Sequence, residues 1–243
     1  ANLSGLTILN EQYGLVTGDG IRRIDLKSLN NVRIKNERLL CFYNSIIYNG
    51  KVLSNDTYKD ESKVKYYDVN ELIAAKEGEA PAVTELDIIQ KQKINFVLAK
   101  DGNVYTLESA DNGCNIVKIK NDFTLEKVFA NFQPAKGPYH SSPTIGMVAS
   151  ETENIIYLVS TDGAIYKYIL GDSDSLKAPF IAAESGVSIT APLQLNQQSG
   201  ELYVTYTEEL KDESKIVVYS KDGKVLHTVD CGESVPSQIL FNN

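Results

Sequence analysis

His140 is one of only two histidines in this 243-residue chain, and it lies in a segment rich in groups that bind ligands, Asn131–Ser142, NFQPAKGPYHSS. Tyr139 offers a stacking surface, His140 and Lys136 offer polar anchors, and Ser142 offers a hydroxyl, so the segment reads as a ligand-facing loop. Its two prolines and one glycine also suit a plain ordered turn whose Tyr139 caps a central channel. Two further clusters are acidic. The string K-D-E-S-K occurs at Lys59–Lys63 and again at Lys211–Lys215, presenting Asp60 with Glu61 and Asp212 with Glu213. One reading is an acidic rim for a basic partner or a cation site. The other is a pair of solvated hairpin tips, and the interleaved lysines weaken a calcium reading. The string GDSDS, Gly171–Ser175, lacks the downstream glycine and glutamate of an EF-hand and reads as a turn. The second histidine, His227, alternates within a predicted outer strand and reads as a surface residue.

The three cysteines, Cys41, Cys114 and Cys231, show no CxxC spacing, so neither a zinc site nor a cofactor is expected. A net charge of −8 argues against nucleic acid and against an anionic membrane surface, both of which select a basic face. No apolar run approaches the roughly 18 residues of a membrane helix. The chain opens on Ala1 and its only methionine is Met147, which reads as a processed or trimmed form.

The elements that must position these groups repeat. The two K-D-E-S-K strings are 152 residues apart, three periods of about 51. Strand-like runs follow turns at Gly5, Gly50, Gly102, Asn154 and Gly200, at spacings of 45, 52, 52 and 46. A second run follows each, from Ile21, Val64, Ile116, Ala164 and Ile216. A weaker third begins at Val32, Ala82, Lys127, Pro179 and Lys224. β-branched and aromatic residues dominate the runs, and Gly, Asn, Asp and Ser separate them. Inner strands precede four of these groups, from Leu39, Ile94, Pro143 and Ala191. The fifth is supplied from the C-terminus, where PSQILFNN from Pro236 completes the N-terminal blade and hides two sheet edges. The expected fold is all-β: one domain over residues 1–243, a five-bladed β-propeller closed by that C-terminal strand, with six blades as the alternative. The one helical exception, VNELIAAK from Val69, suits one or two turns within blade two.

The segment SSPTIGMVASETENIIYLVSTDGAIYKYI, Ser141–Ile169, resembles the quinoprotein-type (PQQ-like) propeller repeat. Thr190–Lys221 resembles it more loosely. The resemblance implies a fold in the superfamily that also holds WD40-like and YVTN-like propellers. It does not imply a quinone enzyme, because the chain has no tryptophan and no vicinal cysteine pair. Many non-enzymatic members are extracytoplasmic scaffolds or surface proteins, so the resemblance implies a secreted, periplasmic or surface-attached location.

In a propeller, the connectors between blades and the turns between second and third strands gather on one face. The connectors fall at Lys35–Arg38, Ile88–Lys93, Asn131–Ser142, Glu184–Ala191 and Cys231–Ser237. The turns fall at Gln12–Asp19, Asn55–Ser62, Ser109–Gly113, Ser160–Gly163 and Thr207–Ser214. A glycosidase would need two or three carboxylates on inner strands. The strands from Leu39, Pro143, Ala191 and Pro236 carry no acid, and only Glu85 and Asp87 stand near one. No G-x-S-x-G occurs. The expected function is therefore a non-enzymatic binding or scaffold propeller that recognises a protein or carbohydrate partner. The alternative is a hydrolase or lyase with its site in the channel near His140.

Overall fold

The computed structural model describes residues 5–18, 20–35, 45–55, 62–79, 81–90, 96–134, 146–208, 213–236, 239 and 241. Among them the strands form five antiparallel sheets. The first runs β1 (Gly5–Ile8), β2 (Tyr13–Gly18), β3 (Gly20–Asp25), β4 (Asn31–Lys35). The second runs β5 (Ile46–Tyr48), β6 (Lys51–Asn55), β7 (Ser62–Asp68), β8 (Val83–Gln90). The third runs β9 (Val97–Leu98), β10 (Val104–Ala110), β11 (Gly113–Ile119), β12 (Leu125–Phe132). The fourth has three strands, β13 (Met147–Ala149), β14 (Ile155–Val159) and β15 (Ile165–Ile169). In the fifth, β16 (Val187–Ile189) and β17 (Gln194–Leu195) share β18 (Leu202–Glu208), which leads to β19 (Ser214–Tyr219) and β20 (Val225–Gly232).

Burial tracks position in each sheet. β14, IIYLV, is buried at every residue, as an all-apolar run flanked on both faces must be. β20, the last strand of its sheet, is exposed along nearly its whole length. One tight turn recurs at Ala99–Asn103, Lys120–Thr124, Ser160–Ala164 and Ser220–Lys224. In each, the first N–H bonds to the fifth carbonyl and the fourth N–H to the first carbonyl. The fourth residue is left-handed, with φ of 74° at Gly102, 63° at Phe123, 84° at Gly163 and 77° at Gly223. Glycine takes that conformation freely, whereas Phe123 holds it with strain.

The chain divides into two compact units, Ala1–Phe96 with Leu107–Ser109, and Val97–Thr106 with Ala110–Asn243. The first has a core of Leu15, Ile21, Ile34, Val52, Tyr67 and Leu72, among others. The last of these comes from α1 (Val69–Ala74), whose first turn Asp68 caps by accepting hydrogen bonds from the Asn70 and Glu71 amides. The expected helical turns are thus present. The second unit packs Tyr157, Ile165, Leu202, Val204, Tyr206 and Val217 in a core shared by the fourth and fifth sheets.

Three expectations are corrected. Gln12–Asp19, read as a loop, contains β2, so among the described residues the first sheet draws its four strands from Gly5–Lys35. The glycines of YGLVTG diluted its strand signal, and a Cβ on Gly14 would stand 2.9 Å from Leu6 Cδ1, so a larger residue there would require that side chain to move. The described C-terminal residues make contacts with the fifth sheet, and the rest of the expected closing strand from Pro236 lies outside the described residues. The Thr205 hydroxyl donates to the Pro236 carbonyl at 3.4 Å, the Ile239 amide donates to Gln194 Oε1 at 2.7 Å, and Phe241 meets the Tyr203 ring edge-on at 5.0 Å. The run from Pro179, which follows a 3-10 turn at Ser173–Leu176, yields only an isolated bridge, Ile165 with Ile181. The connector Glu184–Ala191 contains β16. Glu85 and Asp87 lie on β8, at the opposite edge of their sheet from β5, paired with Lys65 at 3.4 Å and Lys63 at 3.5 Å.

Candidate functional site

Three loop bases meet in the second unit. The connector beginning at Asn131 leaves β12 through a left-handed residue, Asn131 with φ 63°, which asparagine tolerates better than most side chains. Phe132 is buried and meets the Tyr166 ring edge-on at 5.8 Å, fixing the exit direction on an apolar base. Gln133 then bonds both ways. Its side-chain amide donates to the Asn112 carbonyl at 2.5 Å, in the turn between β10 and β11. Its own carbonyl accepts from the Thr161 amide at 2.9 Å, in the turn between β14 and β15. Pro134 bridges Ser160. Gly113, with φ 123°, leaves the room: a Cβ there would collide with the Gln133 amide and stand 2.6 Å from the Phe132 carbonyl.

Asp162 tips the third turn. Hydrogen bonds from the Ser160 hydroxyl and from the Ala164 amide hold its carboxyl below the usual range, so it is an anion at neutral pH. Asp111, Asn112, Gln133 and Thr161 are exposed around it. The cluster offers amides, a hydroxyl and carboxylates, a set suited to hydrogen-bonding a polar surface.

Lys136, Tyr139, His140 and Ser142 lie outside the described residues, as do Asp60, Glu61 and Asp212. Glu213 is exposed just before β19, and its carbonyl accepts from the Glu208 amide at 2.9 Å. His227 is exposed on β20, opposite Val218. Sequence reasoning missed Gln133 and Gly113. The only local signal was the Asn112–Gly113 pair, a turn dipeptide.

The opposite turns carry chemistry that is already satisfied. Asp101 receives Lys118 at 3.0 Å, Asn103 at 2.9 Å and the Tyr105 hydroxyl at 2.8 Å. Burial would raise its pKa, but these three donors outweigh it and hold the carboxyl low. A shallow cavity of about 410 Å³ beside it is lined by Asn103, Lys118, Lys120, Asn121 and Asp122. Its lysines are spent on Asp101 and on Glu126, the latter at 2.9 Å. Among the described residues, no three His, Cys, Asp or Glu side chains gather to hold a metal ion. No helix there is long and apolar enough to cross a membrane.

Residues 4–242 match a family model described as Domain of unknown function (DUF5074). The chain belongs to the DUF5074 family. No curated protein matches it. This DUF5074 chain is similar in structure to TolB from Acinetobacter baumannii, with a TM-score of 0.58 and 10% identity over 96% of this chain and 55% of that one. It is similar to the Cps50 (Swd1) β-propeller domain of Myceliophteria thermophila, with a TM-score of 0.56 and 12% identity over 97% and 75%. A virginiamycin B lyase from Staphylococcus aureus gives 0.51 and 14% over 94% and 70%. The chain spans about half the length of the TolB it matches. Identities this low show the fold alone, and these neighbours are β-propeller proteins.

Proposed function

We propose that the DUF5074 chain is a five-bladed, quinoprotein-type propeller that binds a protein or carbohydrate partner without turning it over. Each of the five sheets would be one blade. The observation that carries the reading is the joining of three loop bases through Gln133, which gives the Asn131–Ser142 connector a fixed platform. A rigid scaffold under a polar loop is how propellers and other β-folds present binding residues. Lys136, Tyr139, His140 and Ser142 would supply the contacts, with Asp60, Glu61, Asp212 and Glu213 as an acidic rim. The resemblance to extracytoplasmic propellers supports a location outside the cytoplasm.

A thermal-shift panel of neutral glycans and basic peptides tests the proposal. A bound member at a hundredfold excess over its Kd stabilises by about 2.7 kcal/mol. That shift is expected to vanish in Tyr139→Ala and His140→Ala, with every probe recovered unchanged. Turnover of a probe that His140→Ala abolishes would replace this reading with that of a hydrolase or lyase.

A further inference from the structure

We infer that Asn112 is a self-modification site, where the Gly113 peptide nitrogen closes on the Asn112 side-chain amide and converts it to aspartate or isoaspartate. The chain holds Asn-Gly twice, at Asn49–Gly50 and at Asn112–Gly113. Glycine carries no Cβ to shield its nitrogen, so this dipeptide admits a ring closure that bulkier pairs hinder. Asn112 is exposed in the turn between β10 and β11, within reach of water and hydroxide. One contact adds a driving element. The Asn112 carbonyl and the Gly113 nitrogen belong to the same peptide group. When hydroxide takes the proton from that nitrogen, negative charge spreads onto the carbonyl oxygen. The Gln133 side-chain amide donates to this same oxygen at 2.5 Å. A donor already aimed where charge develops lowers the barrier, as in an oxyanion hole. The donor's seat is built into the turn, because the space of the missing Gly113 Cβ is where the Gln133 amide stands.

The step balances with water alone. The Gly113 nitrogen forms a bond to Asn112 Cγ, the bond from Cγ to the side-chain nitrogen breaks, and ammonia leaves. The cyclic imide that remains is opened by water. Attack at Cγ gives aspartate, and attack at the backbone carbonyl gives isoaspartate. Either product adds a negative charge to a turn that already carries Asp111. Isoaspartate also lengthens the main chain where space is short, since a Cβ on Gly113 would stand 2.6 Å from the Phe132 carbonyl.

The test needs no ligand and stands apart from the binding proposal. The intact chain is incubated in mildly alkaline buffer, and peptide mass spectrometry follows residue 112 through loss of ammonia to exchange of amide for acid. Asn49 in the same sample is the internal reference. Conversion is expected at residue 112, at a rate that rises in proportion to hydroxide, and Asn112→Ser is expected to abolish it. Gln133→Met keeps the length of the side chain and removes the donor. It is expected to slow conversion at residue 112 about tenfold or more, the factor carried by one hydrogen bond to a developing anion, and to leave Asn49 unchanged. Gln133→Glu keeps the shape without the donor and is expected to slow it as well, which decides the matter if Gln133→Met does not fold. A glutamine that merely held the turn still would act the other way, since its loss would loosen the turn and speed the closure. An unchanged or faster rate at residue 112 in the Gln133 variants would therefore overturn the inference. So would an Asn112 that stays intact, whatever Asn49 does.

Discussion

At the scale of single residues, two kinds of glycine separate cleanly. Gly102 has φ 74° and nothing within 4 Å of where a Cβ would stand. Alanine there is expected to cost about 1 kcal/mol from backbone strain alone. Gly113 adds a clash with a neighbouring carbonyl, so Gly113→Ala is expected to cost about 2 kcal/mol or more. Urea denaturation of the two variants measures the difference. Ser54 gives a prediction of opposite sign. It is 1% exposed on β6, and among the described residues its hydroxyl has no hydrogen-bond partner. A buried, unpaired hydroxyl carries a desolvation cost that alanine removes. Ser54→Ala is therefore expected to be neutral or to stabilise by up to about 1 kcal/mol, and a lowered denaturation midpoint would contradict it.

At the scale of elements, the fourth and fifth sheets are stitched by one glutamine. Gln197 accepts from the Glu151 amide at 2.8 Å and donates to the Ala149 carbonyl at 3.0 Å. The neighbouring ion pair, Lys221 with Glu153 at 2.6 Å, joins the same sheets in solvent. Gln197→Ala is expected to cost about 1–2 kcal/mol, because it strands two backbone groups. Lys221→Ala should cost less than about 1 kcal/mol, as exposed pairs do. Chemical denaturation of both variants ranks them. The strands themselves were largely legible, since runs such as IIYLV and LYVTYT carry β-branched and aromatic residues between turn residues. β2 and β16 were not. Glycines break the pattern in the first, and three residues, VSI, make too short a run in the second. The candidate site was half legible. Pro, Gly, Tyr and His together marked the connector, but nothing marks Gln133, an ordinary polar residue until the fold brings residues 112 and 161 beside it.

At the scale of the whole molecule, charge sets the pH range of stability. Backbone and side-chain donors, Ser28 and Gln12 first, lower the Asp25 carboxyl to about 2. Asp68, Asp122, Glu126, Glu153 and Asp162 are also lowered, each chiefly by a hydrogen bond from a neighbouring side chain. Carboxyls depressed in the fold contribute stability above their unfolded values, near 4, and lose it as pH falls through the folded ones. Burial works at the other end, pushing Tyr157 up to about 12. A phenol raised in the fold contributes stability below about pH 10 and loses it as pH rises toward 12. Melting temperature should hold level between about pH 5 and 9, fall below about 4, and fall again above about 10. A midpoint that climbs on acidification from pH 5 to 3 would contradict this account.

Nearly every sheet of this protein pairs strands that are neighbours along the chain, joined by turns of a few residues. All-β proteins commonly fold slowly, because distant segments must find one another before any ladder forms. Here most ladders close over a short stretch, so the contact order within each sheet is low for an all-β chain. Hairpins of this kind form in microseconds, and any of the five sheets can begin to assemble as soon as its own strands are synthesised.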